Sequence, residues 1–404
     1  MAEYEQLALD VGAVFTPGSP VDEKALFAGR KIQVRQLVDA INYKGHHAVL
    51  YGERGVGKTS LANVFSEFLG QGGQIVAPRV NCDSSDTYTS LWQKVFSHVT
   101  ITREKKGLGF SGDAGKETVT VLEELPKEKE ILPNDVLRNL TVLSRGVLLI
   151  IILDEFDRLP KPTSTLLADT IKMLSDHSVA VTLVLVGVAG SVQELIDEHQ
   201  SVERALIQIP VPRMPPDELE QIVNNGLKRL SMTIQLQALA EITSLSQGLP
   251  YYTHLLALYA ARVALDDNST EIRLEHMDVA ILNALDRSQQ SIKNSYYEAT
   301  KSQQSDNIFK QVLLACALAK TDEFGFFTAA AVKEPLSRIM KKDYDVPSFA
   351  RHLKIFSEGR NPPILQRTGE KRKFRYRFSN PLIQPFVIMN GLSEGLITQF
   401  ELKE

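Results

Sequence analysis

The sequence of 404 residues is poor in cysteine, with two, and in tryptophan, with one. The cysteines, Cys82 and Cys316, are too few for a disulfide framework or a cysteine-rich zinc site, and they suit a reducing, cytoplasmic environment. No apolar run approaches the roughly 20 residues that a membrane-spanning helix needs. The first residues lack a basic segment followed by an apolar one, so we expect no secretory signal. These scarcities exclude small disulfide-rich secreted domains and membrane proteins.

The remaining composition is that of an ordinary globular protein, with 43% hydrophobic and 23% charged residues. The charge is unevenly divided along the chain. From residue 301 onward there are 17 Lys and Arg against 11 Asp and Glu, whereas the whole chain carries a net charge of -4. This C-terminal excess of positive charge indicates either an anionic partner or a solvated basic surface.

Strand and helix signals alternate up to about residue 213, an order that predicts an α/β fold with a doubly wound parallel sheet. Two continuous apolar runs, residues 147–153 and 181–186, are typical of strands buried on both faces. After Pro215-Pro216 only helical patterns follow, and the last hundred residues have the order of a winged helix-turn-helix, three helices and a hairpin. We expect no regular structure in the first thirty residues. The predicted domains are residues 1–214, with an insertion at 101–133, an all-α lid at 215–300 and a winged helix at 305–395.

One segment matches a phosphate-binding loop in full, and it lies between an apolar strand and an amphipathic helix. Its glycines allow backbone N–H groups to surround phosphate oxygens, and the helix N-terminus adds a favourable dipole. We expect Lys58 to reach the β- and γ-phosphates and Thr59 to bind Mg²⁺. The sequence therefore predicts a P-loop site for ATP or ADP. Its residues are Gly52, Glu53, Arg54, Gly55, Val56, Gly57, Lys58, Thr59 and Ser60.

A second motif is the apolar run that ends in Asp154-Glu155. Ligands of open α/β sheets bind at the carboxyl ends of strands, so these acids are predicted to lie beside the P-loop. Asp154 fits the Walker B role of ordering Mg²⁺, and Glu155 that of polarising the attacking water. The alternative is that both acids form a merely polar strand end.

These motifs occur together with three others: Phe27-Ala28-Gly29-Arg30, Gly248-Leu249-Pro250 and the C-terminal winged helix. In combination they resemble AAA+ ATPases of the origin-recognition and archaeal initiator type, and equally the related STAND signalling ATPases. The resemblance covers roughly residues 26–392. It implies a P-loop NTPase sheet of the AAA+/ASCE kind, followed by a helical lid and a winged helix.

The resemblance also implies roles for individual residues. Leu26, Phe27 and Arg30 match the segment that lies near the base, and Pro250 matches a lid proline that packs against adenine. Arg204 stands where such ATPases keep an arginine finger, which would act on a neighbouring subunit and imply self-assembly. Alternatives are a helix stop for Pro250 and a surface ion pair for Arg204.

Two features depart from the AAA+ pattern. The strand at residues 181–186 leads to Ser191, which is late for a polar sensor residue, and no sensor arginine lies near Gly248. We therefore predict slow hydrolysis and a nucleotide-gated switch. The 101–133 insertion reads equally as a projecting β-hairpin or as a surface loop.

The predicted hairpin of the winged helix alternates aromatic and basic residues, which places the aromatics toward the core and the cations outward. The predicted DNA-binding residues are Arg351 and Lys354 on the recognition helix, and Arg367, Lys371, Arg372, Lys373 and Arg375 on the hairpin. His352 is placed on the same helix. His254, among apolar residues of the lid, is predicted to be packed in the core.

The leading hypothesis is an ATPase whose nucleotide state controls binding to double-stranded DNA or assembly. The alternative is a signalling switch, for example in bacterial defence, whose winged helix serves autoinhibition or binds an effector protein.

Overall fold

The computed structural model describes residues 2–20, 26–70, 75–104, 116–124, 130–188, 200–301, 307–322, 324–359, 362–370, 373–399 and 401. We divide them into a sheet unit (residues 2–214), a helical unit (residues 216–300) and a C-terminal unit (residues 307–399). One hydrophobic core runs through all three, since Val186, Leu256 and Ile388 belong to the same cluster of buried residues. The mixed α/β fold with a central parallel sheet confirms the predicted fold class.

The strands of the sheet unit are β1 (His47–Tyr51), β2 (Ile75–Val76), β3 (Arg79–Asn81), β4 (Thr100–Glu104), β5 (Lys116–Thr120), β6 (Leu148–Asp154), β7 (Val181–Gly187) and β8 (Leu206–Pro210). In the parallel sheet β1 lies between β7 and β8, and β7 separates it from β6. β2 and β3 both pair with β6. The carboxyl ends of β1 and β6 therefore lie one strand apart on the same edge.

β4 and β5 form a separate antiparallel hairpin, in which Thr100 is opposite Thr120. Residues 105–115, which join them, lie outside the described part of the chain. Of the two readings of the 101–133 insertion, the described strands have the pairing of a hairpin.

The helices of the sheet unit are α1 (Ala2–Val14), α2 (Lys31–Asn42), α3 (Lys58–Gly70), α4 (Tyr88–Ser97), α5 (Val121–Glu124), α6 (Pro133–Leu143), α7 (Lys161–Asp176) and α8 (Gln200–Glu203). The prediction that the first thirty residues are irregular is wrong for α1. This helix and the residue after it bury Val11, Val14 and Phe15. Phe15 lies so close to Gly226 of the helical unit that a Cβ there would approach it to 2.5 Å. Tertiary packing, rather than a strong local pattern, fixes this helix.

The helical unit consists of α9 (Pro216–Arg229), β9 (Thr233–Ile234), α10 (Leu236–Ser246), α11 (Pro250–Asp266), β10 (Glu271–Ile272), α12 (His276–Arg287) and α13 (Gln290–Thr300). β9 and β10 form one short parallel pair that the all-helical prediction omits. α11 is the central helix of the unit. It is apolar on nearly all sides, as expected for a helix surrounded by others.

The C-terminal unit consists of α14 (Phe309–Leu318), β11 (Phe327–Thr328), α15 (Ala329–Met340), α16 (Val346–Glu358), β12 (Leu365–Thr368), β13 (Arg375–Phe378) and α17 (Ile383–Ser393). β13 is the middle strand of an antiparallel sheet between β11 and β12. The three helices and the hairpin lie where the sequence places them, whereas α17 is not predicted. The Phe386 ring of α17 packs edge-on against Tyr296 of the helical unit, with ring centroids 5.6 Å apart.

Candidate nucleotide-binding site

The loop between β1 and α3 needs its glycines for local reasons. Gly55 and Gly57 have φ angles of +87° and +92°, a region that favours glycine. At Gly52, a Cβ would lie 2.2 Å from the carbonyl oxygen of Val211. At these three glycine positions the loop therefore passes too close to its neighbours, or turns too sharply, for a larger residue. Such a loop at a helix N-terminus is a site for phosphate.

Lys58 is the first residue of α3, and its side chain lies along the loop. Its Nζ donates to the carbonyl oxygens of Gly52, at 3.0 Å, and Glu53, at 2.8 Å. Burial lowers the pKa of Lys58 to about 8, although Asp157, Asp154 and Glu53 oppose the shift. The ammonium group is thus still mostly protonated at neutral pH, and its pKa lies close to the physiological range.

The acidic end of β6 lies on the same edge of the sheet. Asp154 is 2% exposed. Its Oδ1 accepts from the backbone N–H of Glu155 at 2.9 Å, and its Oδ2 lies 2.7 Å from Arg79 Nη2. Glu155 has a positive φ of 55°, and its half-exposed carboxylate forms an ion pair with Arg158 at 2.9 Å. Asp154 is therefore fixed in place, whereas Glu155 is accessible.

The loop and the acids face one cavity of about 570 Å³, a size typical of small-molecule sites. The cavity brings together eleven of the predicted residues: Leu26, Phe27, Arg54, Gly55, Gly57, Lys58, Thr59, Ser60, Asp154, Glu155 and Pro250. Gly52, Glu53 and Val56 belong to the loop but do not line the cavity. Thr59 and Asp154 supply oxygen donors next to the loop, which suits Mg²⁺, a cation that binds one or two carboxylates together with phosphates. In the described part of the chain, no cluster of three His, Cys, Asp or Glu side chains forms a metal site by itself.

A large part of the cavity wall is apolar, and we call it the apolar end, although Pro250 lies beside Gly57 of the loop. The apolar end is lined by Leu26, Phe27 and Ala28 of the sheet unit and by Met214, Ile222, Pro250, Tyr251 and His254 at or beyond its border with the helical unit. Residues 16–20, which we expected only to interrupt regular structure, form another part of this wall. A helical spacing in the sequence does not show which face of α9 or α11 borders a cavity, so Ile222, Tyr251 and His254 could not be predicted.

His254 is buried, as predicted. Its ring packs edge-on against Phe15, with centroids 6.1 Å apart. Burial lowers the pKa of His254 to about 4, so the ring is neutral at physiological pH. A neutral ring that borders the cavity contributes an aromatic surface and not a charge.

Arg30 does not line the cavity, although the resemblance places it near the base. Its side chain is buried beneath the loop, where Nη2 donates to the carbonyl oxygen of Val56 at 2.7 Å. Its backbone N–H donates to Glu218 Oε1 at 2.9 Å. Arg30 therefore supports the loop from below. The local sequence gives no sign of this contact, because Arg30 and Val56 are joined only in the folded chain.

The C-terminal unit reaches the loop through a buried polar cluster. Arg213 Nε donates to Glu53 Oε2 at 2.6 Å, and its Nη1 donates to Gln384 Oε1 at 2.7 Å and to the carbonyl oxygen of Gln247 at 3.3 Å. We call Glu53, Arg213, Gln247 and Gln384 the junction cluster. It joins the loop, the border of the sheet unit, the helical unit and α17.

A second contact adds to the junction cluster. Leu382, immediately before α17, lines the cavity. A Cβ on Gly55 would lie 2.9 Å from its Cδ2. Tyr252 Oη of the helical unit donates to the Leu382 carbonyl oxygen at 2.6 Å. The C-terminal unit is therefore part of the wall of the site, which the sequence did not indicate.

Arg204 lies between α8 and β8, is mostly exposed and does not line the cavity. Its Nη2 lies 3.1 Å from Asp176 Oδ1. This is the surface ion pair that we kept as an alternative. Action on a neighbouring subunit stays a prediction. Ser191 lies outside the described residues.

Some basic residues of the C-terminal unit are exposed, and others form ion pairs. Arg351, Lys354 and Lys373 are exposed. Arg367 forms an ion pair with Glu358 and Arg375 one with Asp322. Lys371 and Arg372 lie outside the described part of the chain. The acids therefore offset part of the positive charge of this surface.

The predicted alternation is present in β13, where Tyr376 and Phe378 are buried and Arg375 is exposed. His352, by contrast, does not share the outward face of Arg351. Its ring packs against Phe309, with centroids 5.0 Å apart. Burial, reinforced by the charge of Arg351, lowers its pKa.

The parallel sheet, the glycine loop and the acids at the neighbouring strand end define a P-loop nucleotide-binding unit. Residues 26–186 match the family model of the AAA ATPase domain. This match confirms the predicted resemblance to AAA+ P-loop ATPases. A comparison with curated proteins gives no match.

Among solved structures, the chain is similar to the Walker-type ATPase paby2304 of Pyrococcus abyssi, with 15% identity and a TM-score of 0.54 over 93% of this chain and 99% of that one. This similarity shows a shared fold. Cdc6p from Pyrobaculum aerophilum has 13% identity and a TM-score of 0.46 over 96% and 99% of the two chains. The Orc1 protein of Aeropyrum pernix, solved in complex with DNA, has 19% identity and a TM-score of 0.48 over 94% and 95%. Similarity of these last two is too low to indicate function.

Within the described residues, we find no helix whose length and apolar character would let it cross a bilayer.

Proposed function

We propose that the protein binds ATP with Mg²⁺, hydrolyses it slowly, and uses the nucleotide state to control the C-terminal unit and its binding to double-stranded DNA. The observation that carries this proposal is the composition of the cavity wall. The loop, the helical unit and Leu382 of the C-terminal unit all line the same cavity. A ligand that contacts all three units favours one arrangement of them over others.

At the phosphate end, the loop and Lys58 would hold the β- and γ-phosphates, and Thr59 and Asp154 would hold Mg²⁺. The metal would offset negative charge on the transferred phosphoryl group. Glu155, which is accessible in the cavity wall, would accept a proton from the attacking water. Phe27, Pro250 and Tyr251 would surround the base.

Two features support slow turnover. Glu155 forms an ion pair with Arg158 at 2.9 Å, and this contact restricts rotation of the carboxylate toward a water. The arginines that line the cavity in the described residues, Arg54 and Arg158, both belong to the sheet unit. A charge contributed by the helical unit, or by Arg204 of a second copy, would then be needed for fast phosphoryl transfer.

DNA binding is supported by the exposed cations of α16 and the hairpin. Arg351 and Lys354 lie one helical turn apart and are both exposed, so they are available to phosphates on one face. Each phosphate contact adds about 0.9 to the magnitude of the slope of the logarithm of the binding constant against the logarithm of the salt concentration. We therefore expect the double variant Arg351→Ala/Lys354→Ala to lower the slope by about 1.8 relative to the wild type.

Gel-shift titrations across salt, with ADP and with a non-hydrolysable ATP analogue, test this. Lys228→Ala, which removes an exposed cation from the helical unit, is the matched control. An unchanged slope in the double variant would show that α16 does not contact DNA. Equal DNA affinities with both nucleotides would show that the nucleotide state does not control DNA binding.

The junction cluster favours a second candidate function, a signalling switch in which the C-terminal unit holds the protein in a closed state until an effector protein binds. Arg213 of the sheet unit donates to Gln384 of the C-terminal unit at 2.7 Å and to the carbonyl oxygen of Gln247 of the helical unit at 3.3 Å, and these bonds would be lost if the units separated. Sizing the protein with ADP and with the ATP analogue also tests assembly. An unchanged mass with both nucleotides would remove the proposed role of Arg204 in a neighbouring site.

A further inference from the structure

Arg79, a residue to which no role has been given so far, contacts the acid that would bind the metal. It lies in β3, the strand next to β6, with Asn81 directly opposite Asp154. Residues two apart in a strand share one face, so Arg79 points to the same side of the sheet as Asn81 and Asp154. Its Nη2 lies 2.7 Å from Asp154 Oδ2 and 3.0 Å from Asn81 Oδ1. Asn81 thus helps to fix the guanidinium against the carboxylate.

Both oxygens of Asp154 are therefore engaged by the chain itself. Oδ1 accepts from the backbone N–H of Glu155, and Oδ2 accepts from Arg79. Asp154 is almost fully buried, whereas the Arg79 side chain is 24% exposed. A charge-assisted bond to a buried carboxylate is among the stronger hydrogen bonds in proteins. A metal ion that takes Asp154 as a ligand must share or displace this cation.

We propose that Arg79 competes with Mg²⁺ for the Asp154 carboxylate. As a result, the site takes up the metal only together with nucleotide phosphates. The inference rests on the proposed function. Mg²⁺ binds to proteins through few carboxylates and completes its shell with phosphate oxygens and water. With the charge of Asp154 offset by Arg79, the phosphates supply the main attraction for the ion.

Isothermal titration calorimetry of ADP binding to the protein, at a series of Mg²⁺ concentrations, tests the proposal without a measurement of ATP turnover. Arg79→Gln removes the cation and keeps an amide near Asn81. We expect the Mg²⁺ concentration that gives half of the metal-dependent gain in ADP affinity to fall about tenfold. Mn²⁺ binding to the protein without nucleotide, followed by electron paramagnetic resonance, should become measurable in Arg79→Gln and stay undetected in the wild type.

Arg79→Lys keeps the charge but loses the planar pair of donors. It should lower the metal requirement by only two- to threefold, and it serves as the test if Arg79→Gln does not fold. Arg138→Gln is the matched control, because it removes an exposed cation that pairs with Asp135 and does not line the cavity. Its metal requirement should equal that of the wild type.

An unchanged or higher metal requirement in folded Arg79→Gln or Arg79→Lys would overturn the inference, and so would an equal fall in Arg138→Gln. These outcomes differ from failure of the proposed function. If the wild type binds no nucleotide at all, the proposed function fails; if it binds nucleotide and the variants leave the metal requirement unchanged, only the role of Arg79 fails.

Discussion

The two ends of the cavity are built in different ways. The phosphate end consists of one continuous loop and the acids at the end of β6, and its polar groups are fixed by backbone geometry and hydrogen bonds. The apolar end is assembled from residues 16–20, the segment around Phe27, and faces of α9 and α11, which are far apart in the sequence. The phosphate end can therefore be recognised from a short sequence motif. The apolar end forms only when the units pack together.

We therefore expect the phosphate end to determine phosphate binding and hydrolysis, and the apolar end to determine which base is bound. The loop would bind any nucleoside triphosphate, since it contacts phosphates alone. The apolar end would distinguish the base, and it would also transmit the state of the site to the other units. Changes at the phosphate end should thus affect turnover and affinity for phosphate, and changes at the apolar end should affect base recognition and coupling.

The largest effect is expected for Glu155→Gln. Loss of the group that accepts the proton of the water should reduce ATP turnover at least about 100-fold, while ATP affinity changes little. A phosphate-release assay combined with calorimetry measures both quantities. Asp157→Asn, which alters another carboxylate of the cavity wall, is the control and should retain most turnover. Turnover retained by Glu155→Gln would show that another group orients the water.

A smaller effect is expected from pH, because the pKa of free Lys58 is lowered to about 8. Bound phosphate favours the charged ammonium group, so nucleotide affinity is full below this pKa and falls as pH rises through it. We expect ADP to bind about tenfold more weakly at pH 9 than at pH 7. Calorimetry in matched buffers measures the difference. Lys58→Arg, which stays charged across this range, should show no such fall; an equal fall would assign the titration to another group.

At the apolar end, Phe27→Ala should weaken ATP binding about fivefold through loss of apolar contact. Binding of inorganic tripolyphosphate should not change, since that ligand has no base. Competition against a fluorescent nucleotide measures both ligands. Phe68→Ala, on the exposed side of α3, is the control. A parallel loss for tripolyphosphate would contradict the assignment of the base to this end.

The smallest effect is expected from a comparison of Gly55→Ala with Gly57→Ala. Both glycines have positive φ, so both changes carry a similar backbone strain of about 1 kcal/mol. Only at Gly55 would the new Cβ come within 2.9 Å of Leu382, whereas at Gly57 its neighbour, Pro250, is 3.8 Å away. Amide hydrogen exchange in α17 should therefore be faster in Gly55→Ala. Equal exchange in both variants would contradict contact of the C-terminal unit with the loop.

Features that depend on local sequence were predictable. The loop, the two apolar strands and most helices of the helical and C-terminal units follow from glycine spacing, buried runs and helical periodicity. β2 and β3 are short, separate strands, because Pro78 between them cannot donate a hydrogen bond within the sheet.

Features that depend on long-range packing were not predictable. Arg30 lies beneath the loop because it donates to Val56, Arg79 contacts Asp154 on the neighbouring strand, and Arg213 joins Glu53 to Gln384. Each is an ordinary surface arginine in the sequence. Only the fold shows which acid or carbonyl each one meets, and that residues 16–20 and Leu382 form part of the cavity wall.

The central claim is that a nucleoside triphosphate binds at the loop before α3. Calorimetric titration of the wild type with ATP in the presence of Mg²⁺ is the most direct measurement, with Lys58→Ala as its partner. We predict saturable binding of one nucleotide per chain and a loss of affinity of about 100-fold in Lys58→Ala, because the β- and γ-phosphates lose their ammonium partner. Absence of binding to the wild type, or equal affinity in the variant, would contradict the account.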